Sequence, residues 1–361
     1  MAVVAGLLGC SSSRPETRAV PSGAELTTAV DEFVDQNLSL GIRNRRAILV
    51  SVDGELLVER YYDSSAHETA AVASVTKSIV STLVGIAVSE GYLRIEQPLR
   101  ELLPAYRDLM ATQLGGITVH ELLTMTAGLP ADDGGDPRPK GDDWVADTVR
   151  RGTVQPPGQG FAYSSVSSHL LAAVLVEATG RPLLAYAREK LFDPLGIDTR
   201  PAFQPVLVAG RREPVRAYEQ AGFAWPRDPQ GINVGFGYLK MSAREMVKLG
   251  NLFLDGGAWE GEQLVPQSWV EASTSPVVST AGGPGSPGGA HYGYQWWVTS
   301  AGNHRAFSAV GYGGQIIEVI PDLRLVVVAS TWIDETSSFD SRTWEFMVTT
   351  MIVPAFEPNQ P

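Results

Sequence analysis

The amino-acid sequence predicts an α+β protein, with one lobe built as a sandwich of an antiparallel sheet flanked by helices and a second lobe built from helices alone. Strand patterns appear near both ends of the chain, and the long middle has helical periodicity. The length of 361 residues agrees with two lobes, because single cores stop growing at about 250 to 300 residues. We place a leading segment and linker at residues 1–23, a sheet lobe at 24–73 plus 258–361, and a mainly helical lobe at 74–257.

Composition and charge exclude several classes of protein. Hydrophobic residues make up 44% of the chain, an ordinary globular share. The formal net charge of −12 at pH 7 repels phosphate backbones, so we expect no nucleic-acid partner. A single cysteine excludes a disulfide framework, a cysteine-rich zinc site and an iron-sulfur cluster. Because the histidines form no metal pattern and the glycine string at residues 283–288 follows no strand, the sequence predicts no metal and no other cofactor.

Cys10, the single cysteine, closes a short apolar segment. The stretch Leu7-Leu8-Gly9-Cys10, followed by three serines, resembles the lipobox of bacterial lipoprotein signal peptides. The resemblance implies lipidation at Cys10 and export to the bacterial cell envelope, with a soluble catalytic body that contacts the membrane only through this anchor. The segment has no basic residues before it, so a chance apolar stretch is the alternative.

The predicted strands form a hairpin near the start of the chain and a group near its end. Asp53-Gly54 supplies the positive φ of a tight two-residue turn between two apolar runs. The run at residues 325–329 is apolar at every position, which predicts an interior strand covered on both faces. The predicted strands are residues 47–52, 56–62, 293–298, 306–310, 315–320 and 325–330.

The predicted helices occupy most of the remaining chain. Two of them begin with a capping box, at Thr118-Val119-His120-Glu121 and at Ser242-Ala243-Arg244-Glu245. An acidic loop at residues 131–143 and an irregular stretch at 201–230 are expected to cover a cleft. The predicted helices are residues 26–38, 74–90, 118–127, 165–179, 183–191, 242–254 and 340–352.

Ser74 and Lys77 are a candidate nucleophile and base. They lie three residues apart and therefore on neighbouring turns of one helical face. The helix is apolar nearly all round, and burial favours the neutral amine that a base requires. The helix N-terminus favours negative charge that develops on Ser74. Taken alone, the pair also fits an N-capping serine with a solvated lysine.

Two further segments accompany this pair. A glycine-rich turn delivers Tyr163 to the start of an apolar helix, where the tyrosine can face a cleft. Glycines around Tyr312-Gly313-Gly314 open a strand and allow a substrate to lie close to the backbone. A bulge or a hairpin bend is the alternative for the second segment.

Together these residues resemble the serine β-lactamase and penicillin-binding protein superfamily, in its class C type branch. That branch also contains esterases, D-amino-acid peptidases and oligomer amidases of the 6-aminohexanoate-dimer hydrolase type. The family motifs are Ser-x-x-Lys, then Tyr-x-Asn or Tyr-x-Ser, then a Lys-Thr-Gly-like or His-x-Gly-like triplet. The matching positions are Ser74 with Lys77, Tyr163 with Ser165, and the triplet that begins at Tyr312.

The resemblance implies a role for each matching residue. Ser74 would attack a carbonyl and form an acyl-enzyme, while Lys77 and Tyr163 would share the proton transfers, with the choice of base left open. The amides of Ser74 and Gln315 would hold the oxyanion. The resemblance also assigns substrate binding to Ser165, Tyr312, Gly313 and Gly314.

Departures from the family pattern affect the substrate prediction. Tyr312 occupies the place of a lysine or histidine that grips a substrate carboxylate in β-lactamases and transpeptidases. The sequence therefore predicts hydrolysis of a small ester or amide without a carboxylate. The alternatives are a β-lactamase, a D-Ala-D-Ala carboxypeptidase or penicillin-binding protein, and a non-catalytic envelope binding module. The sequence gives no indication of oligomeric state.

Overall fold

A computed structural model describes residues 20–37, 44–133, 135–208, 215–281, 290–333 and 342–357. Cys10 and the glycine string at residues 283–288 lie outside these ranges. Lipidation, export and anchoring at Cys10 therefore stay predictions.

The largest sheet of the described chain is antiparallel and has eight strands. Its order is β2-β1-β8-β7-β6-β5-β4-β3, so the first hairpin joins the later strands through the pair of β1 and β8. This arrangement confirms the predicted α+β class. The strands are β1 (Arg45–Val52), β2 (Glu55–Tyr61), β3 (Val278–Ser279), β4 (His291–Tyr292), β5 (Trp297–Ala301), β6 (His304–Gly311), β7 (Gln315–Ile320) and β8 (Leu325–Thr331).

Two predictions about the sheet are confirmed. Asp53 and Gly54 have φ values of 51° and 82° and form the tight turn between β1 and β2. Strand β8 lies between β1 and β7, and all of its residues are buried. Its side chains alternate between two cores, because Val326 and Val328 belong to one hydrophobic cluster and Val327 to the other.

Helices cover both faces of the sheet. Helices α2 and α10 pack on one face, and α1 with the C-terminal helical turns packs on the other. Both capping boxes form, with Thr118 and Ser242 as N-caps. The helices are α1 (Gly23–Asn37), α2 (Val75–Ser89), α3 (Leu99–Leu102), α4 (Thr112–Gly115), α5 (Val119–Leu123), α6 (Trp144–Arg151), α7 (Ser165–Thr179), α8 (Leu183–Ala187), α9 (Val215–Gln220), α10 (Ala243–Leu254), α11 (Gln267–Ser273) and α12 (Arg342–Met347).

Shorter pieces complete the described chain. Single helical turns follow α8 and α12 at Arg188–Phe192 and Val348–Ile352, and three others lie at Pro104–Leu109, Pro321–Leu323 and Val353–Phe356. Three two-stranded pairs join Ala70–Ala71 to Lys240–Met241, Ala202–Phe203 to Phe223–Ala224, and Ala258–Trp259 to Glu262–Gln263. In the described ranges no single helix meets the length and apolarity of a membrane span, although Ser165–Thr179 with Leu183–Phe192 meets them as a pair bent by 78°.

Two predicted elements are wrong, and one side chain explains both. The helix predicted at residues 118–127 ends at Leu123, because the Gln295 amide donates to the carbonyls of Leu122 and Leu123 in place of the next helical turn. The strand predicted at residues 293–298 begins only at Trp297, because residues 293–296 form a bend between β4 and β5 in which Gln295 has a φ of 62°.

Glu318 is a buried acid in the middle of β7. It faces the same side as Ile316 and Ile320, towards the core beneath the C-terminal helices. Its Oε2 atom has no hydrogen-bond partner in the described part of the chain. Burial, with a smaller contribution from Glu345, raises the pKa of Glu318 from 4.5 to about 8.

This raised pKa predicts a pH-dependent stability. Between about pH 4.5 and pH 8 the folded Glu318 keeps a proton that the unfolded chain has lost, so the free energy of unfolding falls as pH rises through that window. We expect Glu318→Gln to raise the free energy of unfolding by about 4 kcal/mol at pH 8 and to change it little below pH 4.5. Urea denaturation at both pH values measures this effect, with the exposed Glu262→Gln as control. A slope with pH that persists in Glu318→Gln would contradict the assignment.

Candidate active site

The candidate nucleophile lies where α2 begins. Ser74 is the N-cap of α2 and is half-buried. The preceding residue, Ala73, has a φ of 46°, which turns the chain sharply into the helix. Helix α2 then runs between the sheet and α7, and its residues from Val75 to Ala87 are buried. The first amides of a helix lack internal acceptors, so negative charge is stabilised at this end.

Lys77 is 1% exposed and has three partners. Its Nζ lies 2.9 Å from Ser74 Oγ, 3.1 Å from Ser165 Oγ and 3.2 Å from the Phe236 carbonyl oxygen. Burial lowers the pKa of Lys77 from 10.5 to about 8, and the negative charge of Asp132 opposes this change in part. Roughly a tenth of the amine is therefore neutral at pH 7, in contact with the nucleophile, and that fraction rises steeply towards pH 8.

Tyr163 closes the group from a distant part of the chain. Its hydroxyl hydrogen-bonds the Ser74 side chain. Burial raises the pKa of Tyr163 well above its ordinary value, so the phenol keeps its proton. The ring stacks on Trp297, with centroids 5.7 Å apart, and lies 4.8 Å from Lys77 Nζ. Packing and burial thus hold the neutral Tyr163 hydroxyl beside Ser74.

The second candidate motif continues into α7. Ser165 is the first residue of this helix, and its Oγ donates to Asp132 Oδ2 at 2.6 Å. The Ser165 amide donates to Asp132 Oδ1 at 2.9 Å, and the Asp132 amide donates to the Tyr163 carbonyl at 2.8 Å. Asp132 therefore bridges both ends of the Tyr163-Ser164-Ser165 segment.

The predicted third motif lies at the ends of β6 and β7. A Cβ on Gly311 would stand 2.4 Å from the Val72 carbonyl oxygen, so the strand end passes directly beside the backbone that leads to Ser74. Tyr312 follows and is 38% exposed. Gly313 accepts a hydrogen bond from Thr331 Oγ1 at 2.5 Å. Gly314 is buried against Trp344.

Gln315 is placed differently from the other predicted site residues. Its side chain is fully buried and bonds Ser330 and Thr331 on β8, with Nε2 to Thr331 Oγ1 at 2.6 Å. Among the described contacts none joins Gln315 to Ser74, so its oxyanion role stays a prediction. The structure brings together Ser74, Lys77, Tyr163 and Ser165.

The Phe236 carbonyl, and the buried His169 and Gly235 that hold it in place, were not predicted from the sequence. His169 is 1% exposed and accepts from the Gly235 amide at Nδ1. Its Nε2 therefore carries the proton and donates to Asp228 Oδ2 at 3.0 Å. A Cβ on Gly235 would lie 2.3 Å from the Ser168 carbonyl oxygen, so only glycine permits this approach to α7. These contacts join residues that are far apart in the chain, and no short sequence pattern predicts them.

Asp132 was also missed, since it is one of several acids in a loop predicted to be surface cover. No local pattern distinguishes it from Asp133 or Asp136. In the described ranges no three His, Cys, Asp or Glu side chains come together in a way that would hold a metal ion.

Comparisons with known proteins identify the family. A model of the family described as Beta-lactamase matches residues 30–348. The chain belongs to this family. The 6-aminohexanoate-dimer hydrolase of Paenarthrobacter ureafaciens is 28% identical over 327 residues, which cover 82% of this chain and 74% of that protein.

Two further proteins are similar to the chain. Esterase EstB of Burkholderia gladioli is 31% identical over 207 residues, which cover 48% of this chain and 51% of the esterase. The crystal structure of a penicillin-binding protein homologue from Caulobacter crescentus superposes with a TM-score of 0.70 at 18% identity, over 92% of this chain and 98% of that chain. The family and its relatives make the protein a hydrolase of the beta-lactamase-related type and confirm the predicted superfamily.

The lowered pKa of Lys77 predicts how the reactivity of Ser74 depends on pH. Only the neutral amine can accept the Ser74 proton, so labelling of Ser74 by a fluorophosphonate should accelerate from pH 6 to about pH 8 and level off above it. Labelling rates in a series of buffers at constant ionic strength measure this profile. A rate that is constant from pH 6 to pH 10 would exclude Lys77 as the proton acceptor.

Proposed function

We propose that the protein is a serine hydrolase that cleaves a small ester or amide through an acyl-enzyme on Ser74. The observation that supports this most directly is the 2.9 Å contact between Ser74 Oγ and a buried amine whose pKa is about 8. A serine becomes nucleophilic when such a neighbouring base takes its proton. The similarity to relatives named as an esterase and as a 6-aminohexanoate-dimer hydrolase also supports a reaction of this class.

The proposed reaction divides into two steps. Ser74 Oγ forms a bond to the substrate carbonyl carbon while its proton passes to Lys77 Nζ, and the alcohol or amine leaves with a proton relayed through Tyr163. Water then attacks the acyl ester, the same groups take a proton from the water, and Ser74 recovers its proton as the acid leaves. The lowered pKa of Lys77 and the raised pKa of Tyr163 support the lysine as base and the phenol as donor.

Two backbone amides would stabilise the oxyanion. The Ser74 amide is one, at the start of α2. The Gln315 amide would be the second, since Gln315 pairs with Gly311, the residue that passes beside the Val72 carbonyl on the way to Ser74. A phenol at position 312 offers no positive charge to a substrate carboxylate, which supports neutral esters or amides over β-lactams and D-Ala-D-Ala peptides.

A substrate panel tests the proposal. We expect kcat/KM to be highest for short aryl esters or small linear amides and far lower for nitrocefin and D-alanyl-D-alanine peptides. Ser74→Ala should lose all turnover, because no other group occupies the place of its Oγ. Nitrocefin hydrolysis at the highest kcat/KM of the panel would support a β-lactamase instead. Absence of both turnover and acylation by the parent protein would support a binding module.

Tyr163→Phe isolates the proton transfer. The ring packing on Trp297 survives in this variant, whereas the hydroxyl contact with Ser74 is lost. We expect an unchanged melting temperature and acylation slower by about 10²-fold, the usual effect of a lost general acid or base. Equal acylation rates in the variant and the parent would remove Tyr163 from the mechanism.

A further inference from the structure

We propose that Asp132 is a positioning residue that fixes the direction of the hydrogen bonds around Lys77, so that the amine's lone pair faces Ser74. This inference rests on the proposed function, because it concerns how Lys77 accepts the Ser74 proton. Asp132 is half-buried in the loop that precedes α6, and its described contacts with the motif are those with Ser165 and the Tyr163 carbonyl.

The carboxylate determines which way the Ser165 hydroxyl points. A carboxylate can only accept hydrogen bonds, so Ser165 Oγ must donate its single proton to Asp132 Oδ2, 2.6 Å away. The other Asp132 oxygen is held by the Ser165 amide at 2.9 Å, which fixes the carboxylate plane. Towards Lys77, 3.1 Å away, the Ser165 oxygen can therefore only accept.

The remaining partners of Lys77 complete the assignment. A neutral amine has two protons to donate and one lone pair. The Phe236 carbonyl can only accept, so it takes one proton at 3.2 Å. Ser165 takes the second. The lone pair is then left for the third partner, Ser74 Oγ, at 2.9 Å. Without Asp132, the Ser165 hydroxyl could turn and donate to the lone pair of the amine. The lone pair would then no longer be available to the Ser74 proton.

Asp132 also acts on Lys77 by its charge. Its negative charge raises the pKa of Lys77, by less than burial lowers it. The same charge raises the pKa of Tyr163, where both burial and the hydrogen bond with Ser74 have larger effects. The titratable groups around the amine are Asp132 from the loop and Tyr163 before α7, and Tyr292 of β4 packs against Tyr163 with ring centroids 6.4 Å apart. Removal of the carboxylate charge should therefore lower the pKa of Lys77.

Asp132→Asn tests the proposal because it changes the labelling of Ser74 in two opposite ways. Loss of the negative charge makes more of Lys77 neutral, whereas reversal of the Ser165 hydrogen bond takes the lone pair of Lys77 away from Ser74. The new amide oxygen keeps the bond to the Ser165 amide, and its NH₂ group must donate to Ser165 Oγ, which reverses that hydrogen bond. We expect the acid limb of the Ser74 labelling profile to move to lower pH by about one unit. The plateau rate should nevertheless fall by about 10²-fold, although more of the lysine is neutral.

Asp133→Asn is the matched control. It removes the same charge from the neighbouring position, which is exposed and bonds only the Gly135 amide in the described chain. We expect its profile to match that of the parent. An Asp132→Asn profile equal to that of the parent would overturn the proposal and leave the proposed function intact. A lower plateau with an unmoved acid limb would also overturn it, since that result indicates a structural role alone.

A double variant tests the direction of the hydrogen bond itself. Asp132→Asn combined with Ser165→Ala removes the reversed hydroxyl, so it should label faster than Asp132→Asn alone. Slower labelling by the double variant would contradict the proposal. If the parent protein is not labelled at all, the proposed function fails, and NMR titration of ¹³C-labelled Lys77 still decides this inference. A lower pKa of Lys77 in Asp132→Asn but not in Asp133→Asn supports it, and no difference overturns it.

Discussion

Burial of the Lys77 amine is the constraint on which the rest of the site depends. The fall of its pKa from 10.5 to about 8 corresponds to about 3 kcal/mol of lost preference for the charged form. That cost is tolerated only because each hydrogen-bonding position of the amine has a partner. The partners come from separate segments: Ser74 precedes α2, Ser165 begins α7, and Phe236 lies in the chain before α10. A base of this kind therefore exists only in the folded protein.

The fold supplies these partners through close packing of backbone on backbone. Gly235 lies against the Ser168 carbonyl and Gly311 against the Val72 carbonyl, at distances that exclude any side chain. The first contact fixes the Phe236 carbonyl beneath Lys77, and the second fixes the end of β6 beside Ser74. Gln295 accepts from Ser168 Oγ and donates to the end of α5, which ties the two helices together. The site is therefore held by main-chain contacts together with the buried Gln295 side chain.

The sequence predicts what local patterns encode and fails where distant contacts decide. Helix α7 appears at its predicted bounds because its apolar residues repeat with helical spacing, and both capping boxes form because their residues are neighbours in the chain. The end of α5 and the break near Gln295 were missed because both depend on one amide that crosses from another segment. Ser74, Lys77 and Tyr163, which the structure brings together, were predicted from ordered motifs. Asp132 and Phe236 belong to no motif. An acid in a loop cannot be distinguished in the sequence from other loop acids, and every residue has a backbone carbonyl.

Asp132 poses an apparent contradiction, because a carboxylate beside a lysine favours the protonated amine, which cannot accept the Ser74 proton. The relative size of burial and of the Asp132 charge, which shift the pKa of Lys77 in opposite directions, resolves this contradiction. Burial outweighs the charge of Asp132, so the pKa of Lys77 remains about 8 with the carboxylate in place. The direction of the hydrogen bonds, in contrast, cannot be set by burial. Burial favours the neutral amine but does not decide which partner donates to its lone pair. A group that can only accept, placed behind the Ser165 hydroxyl, settles that choice at a modest electrostatic cost.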